Sequence, residues 1–497
     1  MSGKQAYYAL ATVLYAWLTV WSMGHPYFWD VIQQVGVEGR WFYEHGYAAL
    51  PASGTGYHIP ALAWLTAVLW EVLGRHLWVS HVLTALTAIP LIHCTFRLMV
   101  RLCRNETWAA VAALLLIAEP SVITQFATAS PDFMMLSAFA VVTYGYVEGK
   151  DWQTGLGLMA LCMLNMRGVL ACGCAVASMT IADRDIWRNM RRALPAMIVV
   201  GAYYTTYLLT HGWFITPDSN YAEHYAAPES GTDVLRHIAS LVLRMGEYGR
   251  VAMWVVLGIV MATRLPRVVV WVRRERGMSF LALFGMMQVV LYILFALTTS
   301  MPFGTRYFMP WHFALSAIIL SFASTLGLRN RLFIGAIVGI AELSGHAWIY
   351  PETMAQPWDC TLRHAPIYAL QEQALTKIDS MGIDRKDVGA GFVLCADPRD
   401  SHLTEDTVRL CSALPSDNPP YYLYSNISNL ADEEIALLKD TAAWREKFRI
   451  EEGVVFISLY GAEQEDAATD GHVGIDDATE SGDGQPVEHL AADPSAE

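Results

Sequence analysis

Two aspartates, Asp30 and Asp132, each stand where a polar segment meets an apolar run. Asp30 follows the first long apolar run, and Asp132 follows Ser130 and Pro131 just ahead of another. A carboxylate at a water–lipid boundary could take a proton from a water-borne acceptor that attacks a lipid substrate. Asp is also a favoured residue at helix N-caps and in the first turn, so helix capping explains each aspartate equally well.

Two arginines stand at comparable boundaries. Arg167 separates two apolar runs that are each short for a membrane span, which predicts the apex of a helical hairpin. An arginine at membrane depth needs an anionic partner, and a purely structural bridge to Glu119 is one alternative to an anionic substrate. Arg306 and Tyr307 lie in a short loop, residues 302–310, with a proline near each end. Snorkelling of Arg306 to the membrane interface is the alternative for this pair.

The composition indicates a polytopic membrane protein. Of the 497 residues, 54% are hydrophobic and 16% are charged, with 17 Trp and 23 Tyr. The net charge of -14 comes mostly from residues 462–497, which hold 11 acidic residues and no Lys or Arg. This tail is poor in large apolar residues and is predicted to be disordered. Its acidity therefore indicates nothing about a substrate.

About eleven transmembrane helices are expected, and the first outer loop, residues 24–75, is expected to carry interfacial helices. One of these begins at Asp30, and the other is the apolar run at 60–73, which is too short to span a bilayer. The predicted spans are 6–23, 77–98, 107–127, 132–147, 152–166, 168–182, 193–211, 249–263, 279–298, 311–328 and 332–349.

The distribution of basic residues predicts the orientation of the chain. With the N-terminus in the cytoplasm, the cytoplasmic segments carry 16 Lys and Arg, whereas the longer outer segments up to residue 350 carry 7. Positive charge is retained on the cytoplasmic side of membranes. This topology places Asp30, Asp132, Arg167 and Arg306 on one extracytoplasmic side, together with the C-terminal domain.

Residues 351–461 are predicted to form a small extracytoplasmic α/β domain, after a membrane domain at 1–350 and before the 462–497 tail. Helices are expected at 366–382 and 431–448, and strands at 388–394, 421–424 and 454–460. The cysteine spacings predict no metal site. No dinucleotide-binding or Walker motif is present, which argues against a soluble nucleotide-sugar donor or ATP-driven transport.

The order of these motifs resembles the C-type (GT-C) membrane glycosyltransferases, in particular the lipid A aminoarabinose transferases and protein O-mannosyltransferases. The resemblance covers roughly residues 1–350 and departs from the family pattern at two places. Asp30-Val31 stands where the family often has Asp-Glu, and His58-Ile59-Pro60 replaces Lys-Pro or His-Pro-Pro. The motifs that carry it are Asp30, Glu44-His45-Gly46, His58 to Trp64, Asp132, Met166-Arg167-Gly168 and Arg306-Tyr307.

The resemblance implies an inverting glycosyltransferase of the bacterial inner membrane. The donor would be a sugar on a polyprenyl phosphate, and the acceptor would be an envelope glycan, lipid or protein. The bilayer is a further partner, and no nucleic acid, cofactor or divalent metal is expected. The implied roles are catalytic for Asp30 and Asp132, donor-phosphate binding for Arg167, Arg306, Tyr307 and His58, and supporting for Glu44 and Glu119.

A membrane transporter or flippase of lipid-linked sugars is the alternative function. A transporter predicts repeat symmetry and polar sites at the membrane midplane. Here the ionisable candidates gather at one predicted face and the sequence shows no internal repeat, so the glycosyltransferase is favoured.

Overall fold

The long apolar runs fold into helices in the computed structural model. It describes residues 2–463 except 52–57, 104, 213–225, 301–302, 355, 357 and 428–429. Residues 464–497 of the tail predicted to be disordered lie outside the described residues. The α-helices up to residue 344 are α1 Gly3–Ser22, α2 Glu38–His45, α3 Ala61–Leu73, α4 Leu77–Cys103, α5 Glu106–Ile117, α6 Pro120–Ala127, α7 Pro131–Val147, α8 Asp151–Leu164, α9 Met166–Asp183, α10 Ile186–His211, α11 Gly231–Gly246, α12 Val251–Arg274, α13 Arg276–Thr298, α14 Met309–Ala323 and α15 Leu328–Ser344.

Each predicted span falls on a described helix, but one of them is broken. The predicted span 107–127 divides into α5 and α6, which are bent by 56°. Pro120 is the first residue of α6, and the Glu119 side chain caps it by accepting from the Val122 N–H at 3.0 Å. In the described part of the chain, five helices are long and apolar enough to cross a bilayer, namely α4, α9, α10, α12 and α13, and the bent pair could form a sixth. The chain is therefore a multi-pass membrane protein, and the number of eleven spans stays a prediction.

The first outer loop contains the short helices that the sequence predicts. After α1 the chain enters a π-helix at Ile32–Val37, which continues into α2, and α3 matches the 60–73 run. Gly36 lies against a later part of the chain, where an added Cβ would come within 2.2 Å of the Asp400 carbonyl oxygen. Only glycine permits this approach.

The C-terminal part contains helices α16 Pro366–Ser380, α17 Pro398–Ser401 and α18 Asp432–Leu438 and a five-stranded sheet. Strands β1 Val388–Ala390, β2 Cys411–Ser412 and β3 Tyr421–Ser425 are parallel in the order β2-β1-β3. Strands β4 Trp444–Glu452 and β5 Val455–Ala462 extend the sheet as an antiparallel hairpin.

The predicted helix at 431–448 is wrong over its second half. Helix α18 ends at Leu438, and Trp444 begins β4. Trp444 and Phe448 are buried, while the residues between them are exposed. Gly453 has a φ of +63° in the two-residue turn before β5. A two-residue hairpin turn favours such a positive φ, and this turn outweighs the helix propensity of the charged residues around it.

Hydrophobic packing joins the first outer loop to the C-terminal domain. The largest core cluster lies among the membrane helices. A second core contains Phe28 and Trp29 from the outer loop together with Trp358, Ile367 and other residues of the C-terminal domain. The segment that leads to Asp30 is thus fixed by the domain that follows the last helix of the bundle.

Candidate active site

Asp30 is placed by the two aromatic residues before it. Phe28 and Trp29 are buried, and the Phe28 ring stacks on the His364 ring with centroids 4.6 Å apart. Trp29 has a left-handed backbone with a φ of +49°, which is uncommon for a residue other than glycine. This turn ends the extended segment, and helical structure begins at Asp30. The Asp30 carboxylate therefore stands at the start of the outer helical segment.

Asp132 lies in the first turn of α7, but Ser130 and not Asp132 caps this helix. The Ser130 hydroxyl accepts from the Asp132 N–H at 3.1 Å, and Pro131 is the first helical residue. Because Ser130 supplies the cap, the Asp132 carboxylate is available for other partners. Its side chain is 1% exposed and is held by arginines.

Asn165 is the extended residue that separates α8 from α9 in the helical hairpin, and it positions the start of α9, which carries Arg167. Its backbone is extended, and its side-chain oxygen accepts from the Gly168 N–H at 2.8 Å, capping α9. Its amide nitrogen donates to Asp132 Oδ1 at 3.2 Å. Arg167 consequently occupies the first turn of α9 beside Asp132, at the predicted apex of the hairpin.

Arg306 lies in a 3-10 helix, Thr305–Phe308, directly before α14. A second buried arginine holds this backbone, since Arg250 Nη1 donates to the Thr305 carbonyl oxygen at 2.7 Å. Arg250 Nε in turn donates to Glu119 Oε1 at 2.9 Å. The break between α5 and α6 thus supports the loop that carries Arg306.

The four predicted charged residues meet in one cluster. Arg167 Nη2 lies 2.9 Å from both Asp132 oxygens and 3.4 Å from Asp30 Oδ2. Arg306 Nη2 lies 2.7 Å from Asp30 Oδ2, and its Nε lies 3.1 Å from Asp132 Oδ2 without the alignment of a hydrogen bond. Arg306 Nη1 contacts a third carboxylate, that of Asp359. Two guanidinium groups are therefore shared among three carboxylates.

Asp30 is the accessible carboxylate of this cluster. Its side chain is 30% exposed, against 1% for Asp132 and 2% for Asp359. Burial raises the pKa of Asp30, but the positive charges of Arg306 and Arg167 outweigh burial and lower the pKa to about 2. Asp30 is thus an ionised acceptor over the physiological pH range, and it faces the open side of the cluster.

Tyr307 and His58 border the cluster. The Arg167 guanidinium carbon lies 4.1 Å from the centre of the Tyr307 ring, and that of Arg306 lies at 5.4 Å. Burial and the charge of Arg167 lower the pKa of His58 to about 3, so its imidazole is neutral. His58 Nδ1 accepts from the Met166 N–H at 3.1 Å, which leaves the proton on Nε2. His58 can therefore donate a hydrogen bond but brings no positive charge.

Two predicted supporting residues lie outside the cluster. The Glu44 side chain is 44% exposed, and its ion-pair contact is with Arg40 at 3.8 Å. Glu119 pairs with Arg250, so the alternative in which Glu119 bridges to Arg167 is wrong. The partners of Arg167 are Asp132 and Asp30 because Asn165, which caps α9, also donates to Asp132 and holds the start of α9 beside the first turn of α7.

Asp359, Asn165 and Arg250 are site residues that sequence reasoning missed. Asp359 stands in Trp358-Asp359-Cys360, in the stretch assigned to the soluble domain, where no spacing connects it to Arg306. Arg250 opens an apolar run much as Arg167 does, and this position could have marked it. Among the described residues, no three His, Cys, Asp or Glu side chains are arranged to hold a metal ion. That catalysis needs no metal stays a prediction.

The architecture matches one class of solved membrane proteins. This chain shares its fold with solved structures of ArnT, an aminoarabinose transferase of the GT-C family, which confirms at the level of fold the resemblance stated above.

Two crystal structures of ArnT from Cupriavidus metallidurans share this fold. The structure bound to undecaprenyl phosphate has a TM-score of 0.54 and 13% identity over 92% of this chain and 97% of that chain. The apo structure has a TM-score of 0.53 and 13% identity over 92% and 98%. No family model and no curated protein matches the sequence.

Proposed function

We propose that the chain is an inverting glycosyltransferase that moves a sugar from a polyprenyl phosphate to an acceptor outside the cytoplasm. The observation that carries the proposal is the cluster of Asp30, Asp132, Arg167 and Arg306, with one open carboxylate beside two guanidinium groups. The ArnT fold and the undecaprenyl phosphate named for one ArnT structure support a lipid phosphate as part of the donor.

The charges of the cluster determine which carboxylate a donor phosphate must displace when it binds. Three carboxylates outnumber two guanidinium groups, so an added phosphate is favourable only where a carboxylate gives up its contact. Asp30 is the exposed member and holds Arg306 Nη2 at 2.7 Å. A phosphate oxygen that takes this donor releases Asp30 from its strongest ion pair. The negative phosphate then offsets the Arg306 charge that lowers the pKa of Asp30, so Asp30 becomes a better base.

The proposed reaction is one displacement at the anomeric carbon. The acceptor oxygen or nitrogen forms the new bond, the bond between the anomeric carbon and the phosphate oxygen breaks, and polyprenyl monophosphate leaves with the electron pair. Asp30 receives the acceptor's proton. Arg306 and Arg167 stabilise the charge that grows on the leaving phosphate, because a hydrogen bond from a charged guanidinium nitrogen to a phosphate oxygen strengthens as that charge grows. The reaction as proposed uses no cofactor or divalent metal.

The other predicted residues receive supporting roles. Asp132 is buried between both arginines and holds them in register rather than meeting the acceptor. Tyr307 supports the Arg167 guanidinium with its ring face, and His58 borders the donor-phosphate site as a neutral imidazole that holds the Met166 N–H at the start of α9. Glu119 contributes through Arg250, whereas Glu44, which is exposed and pairs with Arg40, has no role in the cluster in this proposal.

The proposed setting is the bacterial inner membrane, with a cytoplasmic N-terminus, about eleven spans and an extracytoplasmic α/β domain at 351–461. The distribution of positive charge supports this orientation. The acceptor would then be a glycan, lipid or protein of the envelope, and nucleic acid would have no part.

A label-transfer experiment tests the proposal. Purified protein is incubated with a panel of polyprenyl-phosphate sugars labelled in the sugar, together with envelope extract. Movement of the label to an acceptor and release of polyprenyl phosphate are expected. If the label stays on the lipid but crosses the bilayer of a proteoliposome, the chain is a flippase and the proposal is contradicted.

A further inference from the structure

The C-terminal domain contributes a carboxylate to the cluster, although the other charged members come from the helices and loops that precede it. Asp359 lies fifteen residues after the end of α15 and pairs with Arg306 Nη1. Its side chain is 2% exposed and that of Arg306 is 8% exposed. A buried arginine and aspartate in contact form a strong, geometrically restricted pair. Asp359 is thus a fixed partner of Arg306 on the side away from the opening.

Arg306 presents a different nitrogen to each of its three carboxylates. Nη1 faces Asp359, Nε faces Asp132 and Nη2 faces Asp30. The guanidinium group is planar, so two fixed contacts determine the direction of the third nitrogen. Asp359 and Asp132 are both buried and supply those two contacts. Nη2 is consequently aimed at the exposed carboxylate, where the proposed phosphate would bind.

Asp359 is itself held from both sides. Its carbonyl oxygen accepts from Gln125 Nε2 of α6 at 2.6 Å. Trp358 directly before it is 1% exposed in the C-terminal core, and its indole nitrogen donates to the Asn426 carbonyl oxygen at 2.8 Å. The residue is therefore anchored to the helix bundle by its own backbone and to the sheet domain by its neighbour.

We propose that Asp359 is a positioning residue that orients Arg306 toward the donor phosphate, so that the C-terminal domain completes the active site. This inference rests on the proposed function. Without the Asp359 charge, the contact that fixes Nη1 is lost, so the guanidinium group can rotate and Nη2 can leave the direction needed for the leaving phosphate. Displacement of a positioned group by about 1 Å can lower the rate about 100-fold.

The test compares D359N with D400N in the purified full-length protein. Asp400 is a matched control because it is also a buried aspartate of the C-terminal domain, paired with Arg40 at 2.6 Å, and it contacts none of the cluster arginines. D359N is expected to lower kcat about 10- to 100-fold. The Kd for undecaprenyl phosphate should change less than about 3-fold, since the lost negative charge favours phosphate while the lost orientation opposes it. D400N should keep the wild-type kcat.

A double-mutant cycle separates positioning from a purely structural role. If Asp359 acts through Arg306, D359N should lower kcat no further than about 2-fold in an R306K background. Losses that multiply in the double variant, or equal kcat values for D359N and D400N, would overturn the inference. If D359N does not fold, D359E replaces it in the double-mutant cycle, because the extra methylene of glutamate displaces the carboxylate. D359E is expected to lower kcat about 10-fold in the wild-type background and to have no such effect in the R306K background.

The outcome for the wild-type protein distinguishes the two proposals. A wild-type protein that transfers sugar, with D359N equal to D400N, overturns the role of Asp359 and leaves the proposed function intact. A wild-type protein that transfers no sugar from any polyprenyl phosphate overturns the proposed function and the inference together.

Discussion

Replacement of Arg306 by Lys and by Ala should weaken the binding of a polyprenyl phosphate to different extents. The guanidinium group reaches three carboxylates through three nitrogens, and Nη2, which faces the exposed Asp30, is the nitrogen that a phosphate oxygen would take. Lysine keeps the charge but concentrates it on one nitrogen, so it cannot hold Asp359, Asp132 and a phosphate oxygen at once. Alanine removes the charge as well and leaves three carboxylates with Arg167 alone.

The magnitudes follow from the contacts that are lost. A hydrogen bond to a charged group contributes about 1.5–3 kcal/mol, and each 1.4 kcal/mol changes a binding constant about tenfold. Loss of one such contact in Arg306→Lys should weaken binding about 10- to 100-fold. Arg306→Ala should weaken it more than about 100-fold. Removal of one partner of a buried ion pair also costs about 3–5 kcal/mol of stability, so the alanine variant should unfold at a lower temperature.

The assay is titration of undecaprenyl phosphate into each purified protein, with the unfolding temperature measured in parallel. Arg40→Ala is a matched control, because Arg40 makes a two-point ion pair with Asp400 at 2.6 and 2.9 Å outside the cluster. It should change stability without changing lipid affinity. Equal affinity in wild type, Arg306→Lys and Arg306→Ala would refute the reasoning and leave Arg306 as an interfacial anchor.

Three further predictions concern the cluster and the tail. Asp132→Asn leaves two buried guanidinium groups with too little negative charge beside them, so it should lower the free energy of unfolding by about 3–5 kcal/mol. It should reduce transfer less than loss of Asp30 does. Unchanged thermal unfolding in detergent would contradict this prediction. The pKa of Asp30 is about 2 in the folded protein and about 3.9 in the unfolded chain. The stability that ionised Asp30 contributes is therefore fully present above about pH 4 and is lost as the pH falls through 2. A pH profile of kcat/KM should therefore show no loss from Asp30 above about pH 4, and Arg306→Ala should move that loss to higher pH; a wild-type loss near pH 6 that Asp30→Glu shifts would contradict it. A chain that ends at Glu463 should keep wild-type expression and transfer, and a large loss of transfer at normal expression would assign the tail a function.

Much of the helical architecture could be predicted because long apolar runs have few alternatives to helices in a membrane. The run 107–127 satisfied the length rule, yet Pro120 ended one helix and began another. The helix prediction for 431–448 was wrong in its second half for another reason, because its charged residues favour a helix locally. Pairing of β4 with β5 through the Gly453 turn decided its structure, and such pairing depends on the neighbouring strand.

The candidate site could be predicted only in part. Asp30, Asp132, Arg167 and Arg306 were expected on one side from the order of spans and the charge distribution, and they meet in one cluster. Their pairing could not be predicted, because the Asn165 cap determines which way Arg167 points. Asp359 could not be found from sequence because only the tertiary fold brings this C-terminal part of the chain to Arg306.

The most direct test of the central claim is the rate of sugar transfer by Asp30→Asn. Asparagine keeps the size and capping ability of aspartate but cannot accept the acceptor's proton. Removal of a general base typically lowers a rate about 10²- to 10⁴-fold, or about 3–5 kcal/mol in the barrier. Donor binding should be preserved, because Arg306 Nη2 loses a competing carboxylate. Glu44→Gln is the control, since Glu44 is an exposed carboxylate of the same outer loop that pairs with Arg40 outside the cluster.

The measurement is single-turnover transfer of labelled sugar from its polyprenyl phosphate, with expression and lipid affinity determined for the same preparations. The account predicts near-absent transfer by Asp30→Asn, normal donor affinity, and near-wild-type transfer by Glu44→Gln. Near-wild-type transfer by Asp30→Asn would contradict the account and move the base to Asp132 or Glu44.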